Sequence, residues 1–127
     1  MKITEREKRF LLDIARESIR SCISSSGFRY EPDLQPIISL DRPTVLENVG
    51  GYVSLYLNGE LRGCVDTFNP NYPLFLVIRD MAMESAVNDK RFSPVNFVEF
   101  NDLIIEVTVV VSPKEHIVFN EKQFGIK

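Results

Sequence analysis

The 127 residues hold little of what most well-known sites require. Cysteine occurs twice and histidine once, too few for a four-ligand structural zinc site within one chain. Cys22 and Cys64 lie far apart in unlike local contexts and read as two separate thiols rather than a disulfide framework. The one histidine, His116, follows Pro113-Lys114-Glu115 and reads as a solvated loop residue, so no Cys-His pair is visible. No Walker loop, no G-x-G-x-x-G after a strand and no Ser/His/Asp elbow is present. The longest apolar run extends only from Tyr72 to Ile78, short of the ~18 residues that a membrane span takes. The opening MKITEREKRF has no apolar secretory core, which gives the expectation of a soluble, cytoplasmic protein without a membrane partner. There is no basic surplus either. Fifteen Lys and Arg stand against 18 Asp and Glu, for a net charge of -3, whereas phosphate neutralisation supplies most of the affinity of a duplex binder. Nucleic acid is therefore not the expected partner.

What is present reads as one ordinary domain over residues 1–127, with 44% hydrophobic and 26% charged residues. Thr4-Glu5-Arg6-Glu7 has the form of a capping box, and Leu11, Ile14, Ala15, Ile19, Cys22 and Ile23 follow at helical spacing. The run Ser24-Ser25-Ser26-Gly27 ends that helix. Pro32, Pro36 and Pro43 make residues 28–49 an ordered, long connection. Tyr52–Leu57 alternates as a strand, Asn58-Gly59 is a tight hairpin turn, and Glu60–Val65 returns. Strict alternation would send Leu61, Gly63 and Val65 to one side and Arg62 and Cys64 to the other. A helix from about Pro73 carries an inward stripe of Leu74, Val77, Ile78, Met81, Ala82, Ser85 and Ala86. After a turn near Phe97–Phe100, Leu103, Ile105, Val107, Val109 and Val111 form one face of a long strand. On its other face Glu106 reads as an exposed or cross-strand partner. One hairpin, one further antiparallel strand and covering helices make an α+β fold, an antiparallel sheet flanked by helices in two layers.

Two segments could carry chemistry. In Leu61-Arg62-Gly63-Cys64 a guanidinium beside the sulfur would favour the thiolate, the nucleophilic form, and Gly63 would admit a ligand or another backbone. The competing structural account makes Cys64 a buried core thiol and pairs Arg62 with a carboxylate. In Asp89-Lys90-Arg91-Phe92 the carboxylate and guanidinium could orient an anionic or amide-bearing ligand. Alternatively Asp89 accepts from turn amides and Arg91 is ion-paired at the surface.

Taken in order, Gly51-Tyr-Val-Ser-Leu, Asn58-Gly-Glu-Leu-Arg-Gly-Cys-Val-Asp-Thr-Phe68, Pro73-Leu74, Asp89-Lys-Arg-Phe-Ser-Pro-Val95 and Ile105-Glu-Val-Thr-Val109 with Ser112-Pro113 closely resemble the AMMECR domain family. Its prokaryotic members are also called AmmeMemoRadiSam system protein A. The resemblance runs from the first helix onward. It implies an α+β fold with a cleft near the L-R-G-C motif, names no cofactor, and brings Memo-type and radical SAM proteins as expected partners. Carried over by position, Arg62 and Cys64 would be catalytic, and Gly63, Thr67, Asp89 and Arg91 would bind ligand. No metal is implied. The family carries no assigned reaction; the residues of these motifs give the expectation of a thiol-dependent enzyme or enzyme component, and the alternative is a non-catalytic regulatory or interaction module. Two departures stand out. Asp66 occupies a position where the family usually has Gly, and the family domain continues beyond the segment that matches Phe124-Gly125-Ile126. A shortened domain would leave a sheet edge open to a second copy, hence an expected homodimer.

Overall fold

The computed structural model describes residues 2–24 and 29–126. Chain entry is fixed by the capping box: the Glu7 amide donates to Thr4 Oγ1 at 3.1 Å and the Thr4 amide to Glu7 Oε1 at 3.2 Å. Helix α1 follows over Glu5–Ile23 and buries Leu11, Leu12, Ile14, Ala15 and Ile19. Glu7 has a second task, since its Oε2 accepts from the buried Val45 amide at 3.0 Å. Ser24 caps the helix C-terminus; Ser25, Ser26 and Gly27, read from sequence as part of its end, lie outside the described residues. The connection then splits each of its apolar pairs. Ile37 and Val45 are fully buried, while Ile38 and Leu46 face water.

Strand β1 spans Gly50–Leu57 and β2 spans Glu60–Val65. Between them Asn58 and Gly59 both take positive φ, 53° and 82°, which the tight hairpin turn requires. Helix α2, Leu74–Val87, buries the whole expected stripe from Leu74 to Ala86. A single turn, α3 (Phe97–Phe100), starts on an Asn96–Glu99 capping box. Strand β3 covers Leu103–Ser112 and buries Leu103, Ile105, Val107 and Val109 completely.

The sequence reading omits a fourth strand. Strand β4, Glu115–Asn120, pairs antiparallel with β3, so His116 sits opposite Val110 in a strand and not in a loop. The turn lacks an Asn-Gly signal, and the exposed Val118 hides the alternation of Ile117 and Phe119 beneath it. The sheet is antiparallel throughout, in the order β2-β1-β3-β4.

Helices α1 and α2 pack on each other and on one face of this sheet, which makes the expected α+β two-layer arrangement. On the opposite face Tyr52, Ser54, Tyr56, Glu106, Thr108 and Val118 line a cleft to which α1, α2 and α3 contribute no residue. No helix among the described residues is long and apolar enough to cross a membrane.

Candidate functional site

The site begins with an irregularity. In the β1–β2 ladder Cys64 pairs with Ser54 and Gly63 with Leu55, but Leu61 pairs with Tyr56, which leaves Arg62 as an extra residue. Such a bulge re-aims the side chains on one side of it. Leu61 therefore joins Cys64 on the open face, and the shared face expected for Arg62 and Cys64 does not form. Arg62 turns to α3 instead. Its Nε and Nη2 donate to the two carboxylate oxygens of Glu99 at 2.9 and 3.0 Å, and Nη2 also reaches the Pro94 carbonyl at 3.3 Å. These bonds from Arg62 come first in holding the Glu99 carboxyl below its ordinary pKa. Pairing with a carboxylate, the structural alternative for Arg62, is thus what the fold contains.

Gly63 faces the other way. A Cβ there would run into the Ser85 carbonyl oxygen of α2, so glycine at this position sets how closely the helix approaches the strand.

Cys64 lines an open cleft of about 570 Å³ on the uncovered sheet face. Its Sγ lies 3.3 Å from Ser54 Oγ. Ser54 is also paired with Glu106 on β3, so thiol, hydroxyl and carboxylate form one row across three strands. With strands about 4.8 Å apart, Cys64 and Glu106 stand roughly 10 Å from each other at the backbone. Tyr52 and Tyr56, two residues to either side of Ser54 on β1, flank this row. Burial, and then the negative charge of Glu106, push the Tyr56 hydroxyl pKa up. Asp66 lines the rim. The side chains of Glu106 and Asp66 form no hydrogen bond or ion pair among the described residues.

The second motif reaches the same cysteine from behind. Asp89 Oδ2 accepts from the Cys64 amide at 2.9 Å, and Arg91 Nη2 donates to the Cys64 carbonyl at 3.2 Å. The two side chains are joined to each other through Arg91 Nε and Nη2, at 3.1 and 2.8 Å. Hydrogen bonds from Arg91, followed by the Cys64 amide, hold the buried Asp89 carboxyl far below the usual carboxylate range, and the Arg91 pKa is raised in return. Asp89 also accepts from the Arg91 amide, so the turn role and a role toward Cys64 coexist in one carboxylate. Thr67 lies elsewhere, in a separate groove with Val65, Asp80 and Glu84.

Of the residues singled out in the sequence, the structure thus brings Cys64, Asp89 and Arg91 together. It puts Gly63 beneath them and sends Arg62 and Thr67 away from the cleft. Tyr52, Ser54, Tyr56, Glu106 and Thr108 were not anticipated as site residues. Their signal was the period of two: they are the outward members of two strands whose inward members form the core. No three His, Cys, Asp or Glu side chains among the described residues converge as a metal site.

A family profile described as AMMECR1 matches residues 12–126. A protein of Methanosarcina acetivorans is 35% identical over 114 residues, covering 89% of this chain and 55% of that protein. One from Thermotoga maritima is 35% identical over 88 residues, covering 68% and 51%. Among solved structures, an uncharacterized protein from Pyrococcus horikoshii superposes with a TM-score of 0.74 at 32% identity, over 86% of this chain and 53% of that one. The chain spans about half the length of the relatives it matches.

Proposed function

The chain belongs to the AMMECR1 family, and from that premise we propose that it is a thiol-dependent enzyme or enzyme component in which Cys64 is the reacting group. The observation that supports this most is the position of Cys64: its side chain opens into a cleft while both of its backbone polar groups are held from behind by Asp89 and Arg91. A reacting atom must be fixed to be useful, and this arrangement fixes the residue without covering the sulfur. Asp89 and Arg91 are positioning residues in this reading, and Gly63 lets the strand seat against α2. Thr67 offers a hydroxyl to the neighbouring groove. The protein works in the cytoplasm as one AMMECR-type domain, and Memo-type and radical SAM proteins are its partners.

A second reading has one observation in its favour. Arg62 and Gly63, half of the L-R-G-C motif, are used inside the fold, which suits a non-catalytic regulatory or interaction module. Thiol chemistry separates the two. Under the first reading, iodoacetamide at neutral pH modifies Cys64 faster than it modifies free cysteine. It also modifies Cys64 ahead of Cys22, whose pKa is raised by burial. Cys64→Ser abolishes that modification and shifts the melting temperature by no more than about 3 °C. A Cys64 that reacts no faster than free cysteine, or a variant that unfolds, would favour the module.

A further inference from the structure

We propose that the cleft takes an organic cation, an ammonium compound with a small apolar or aromatic body, which lodges between the Tyr52 and Tyr56 rings with its charge against Glu106. This rests on the reading of Cys64 as the reacting group in so far as the ligand is its substrate, but the binding argument stands on the other walls.

Charge within the cleft is uneven. Arg91 is the basic residue among the lining side chains, and Asp89 takes its Nε and Nη2, so that pair brings no net charge. Glu106 and Asp66 have no such partner among the described residues. Glu106 is half-buried, and a carboxylate removed from water without a counter-charge is costly. A cationic ligand supplies that counter-charge. The two tyrosines lie on the same face of β1, one on each side of Ser54, and the face of an aromatic ring attracts a cation within about 6 Å. Leu61 and Val118 add apolar wall. A cleft of about 570 Å³ falls within the range usual for small-molecule sites. The ligand lies along the row from Glu106 to Ser54, and the thiol waits at the other end.

Paired methanethiosulfonates test this. The trimethylammonium-ethyl reagent and the sulfonatoethyl reagent have the same chemistry, each forming a mixed disulfide and releasing methanesulfinate, but carry opposite charges. The proposal predicts a cationic-to-anionic rate ratio at Cys64 about tenfold above the ratio for mercaptoethanol, and a loss of more than half of that excess in Glu106→Gln. Both charged-reagent rates of each protein are divided by its own rate with neutral iodoacetamide, which separates loss of steering from a change in the thiol. A ratio at or below that of mercaptoethanol, or one that Glu106→Gln leaves unchanged, overturns the proposal. Slow reaction with iodoacetamide would instead sink the preceding reading, and binding is then measured without the thiol. In Cys64→Ser, benzylamine should shift the amide resonances of Tyr52, Ser54 and Glu106 where benzyl alcohol does not. Equal shifts from both, or none from benzylamine, contradict it.

Discussion

At the scale of single residues, the account turns on which side chains are spent on the fold. Asp89 has the largest electrostatic stake, because its carboxyl is held far below the ordinary range by Arg91 and by the Cys64 amide. A carboxyl whose folded pKa is depressed adds stability above its unfolded pKa of about 3.9, and that stability is lost as pH falls through the folded value. Asp89→Asn should therefore melt below the parent at pH 7, and the gap should close as pH drops from about 4 downward. A gap that stays constant over a melting series at descending pH would mean that the Arg91 and Cys64 bonds contribute nothing. That Asp89 accepts from turn amides and that Arg91 is ion-paired could be read in the sequence, because both fit a short turn; that they pair with each other and hold Cys64 could not. Nor could the destination of Arg62. Its partner Glu99 lies 37 positions away, and nothing in Leu61-Arg62-Gly63-Cys64 marks the residue that the ladder skips.

Among the elements, the bulge in β2 and the packing of α2 act together. Alternation, caps and the Asn-Gly turn made α1, β1, β2, α2 and β3 legible, since each depends on a local period or a local hydrogen bond. Strand β4 was not legible, because its identity comes from pairing with β3 and its outward Val118 remains exposed. The expected facing of β2 holds over Gly63, Cys64 and Val65 and fails at Leu61, on the other side of the bulge. The part that alternates is seated on α2, with Ser85 against Gly63 and its hydroxyl accepting from the Val65 amide at 2.9 Å. Gly63→Ala tests this joint. The added methyl meets backbone and not a movable side-chain end, so we expect a loss of about 1–3 kcal/mol in urea denaturation. An unchanged midpoint would show that the helix can retreat at no cost.

For the molecule as a whole, the two faces of one sheet have different duties. The inner face carries the core, and its far end is tied to α1 by Arg16, which donates to both carboxylate oxygens of the buried Glu121 at 2.7 and 2.8 Å and to the Phe100 and Leu103 carbonyls. The outer face is left to the cleft, and the fold class that the sequence implied is the frame that holds it. The family resemblance pointed to β2 and to Cys64, which the fold sets at the cleft. It could not supply the outer residues of β1 and β3, which only the register of the sheet sets beside that cysteine. The central claim is that Cys64 works from this open face without the guanidinium next to it in sequence. The most direct measurement is the rate of iodoacetamide modification of Cys64 in the Arg62→Ala variant, resolved by peptide mass spectrometry. The account predicts a rate within about twofold of the parent, because the Arg62 guanidinium is taken up by Glu99 and the Pro94 carbonyl; a fall of tenfold or more would show that Arg62 serves the thiol after all.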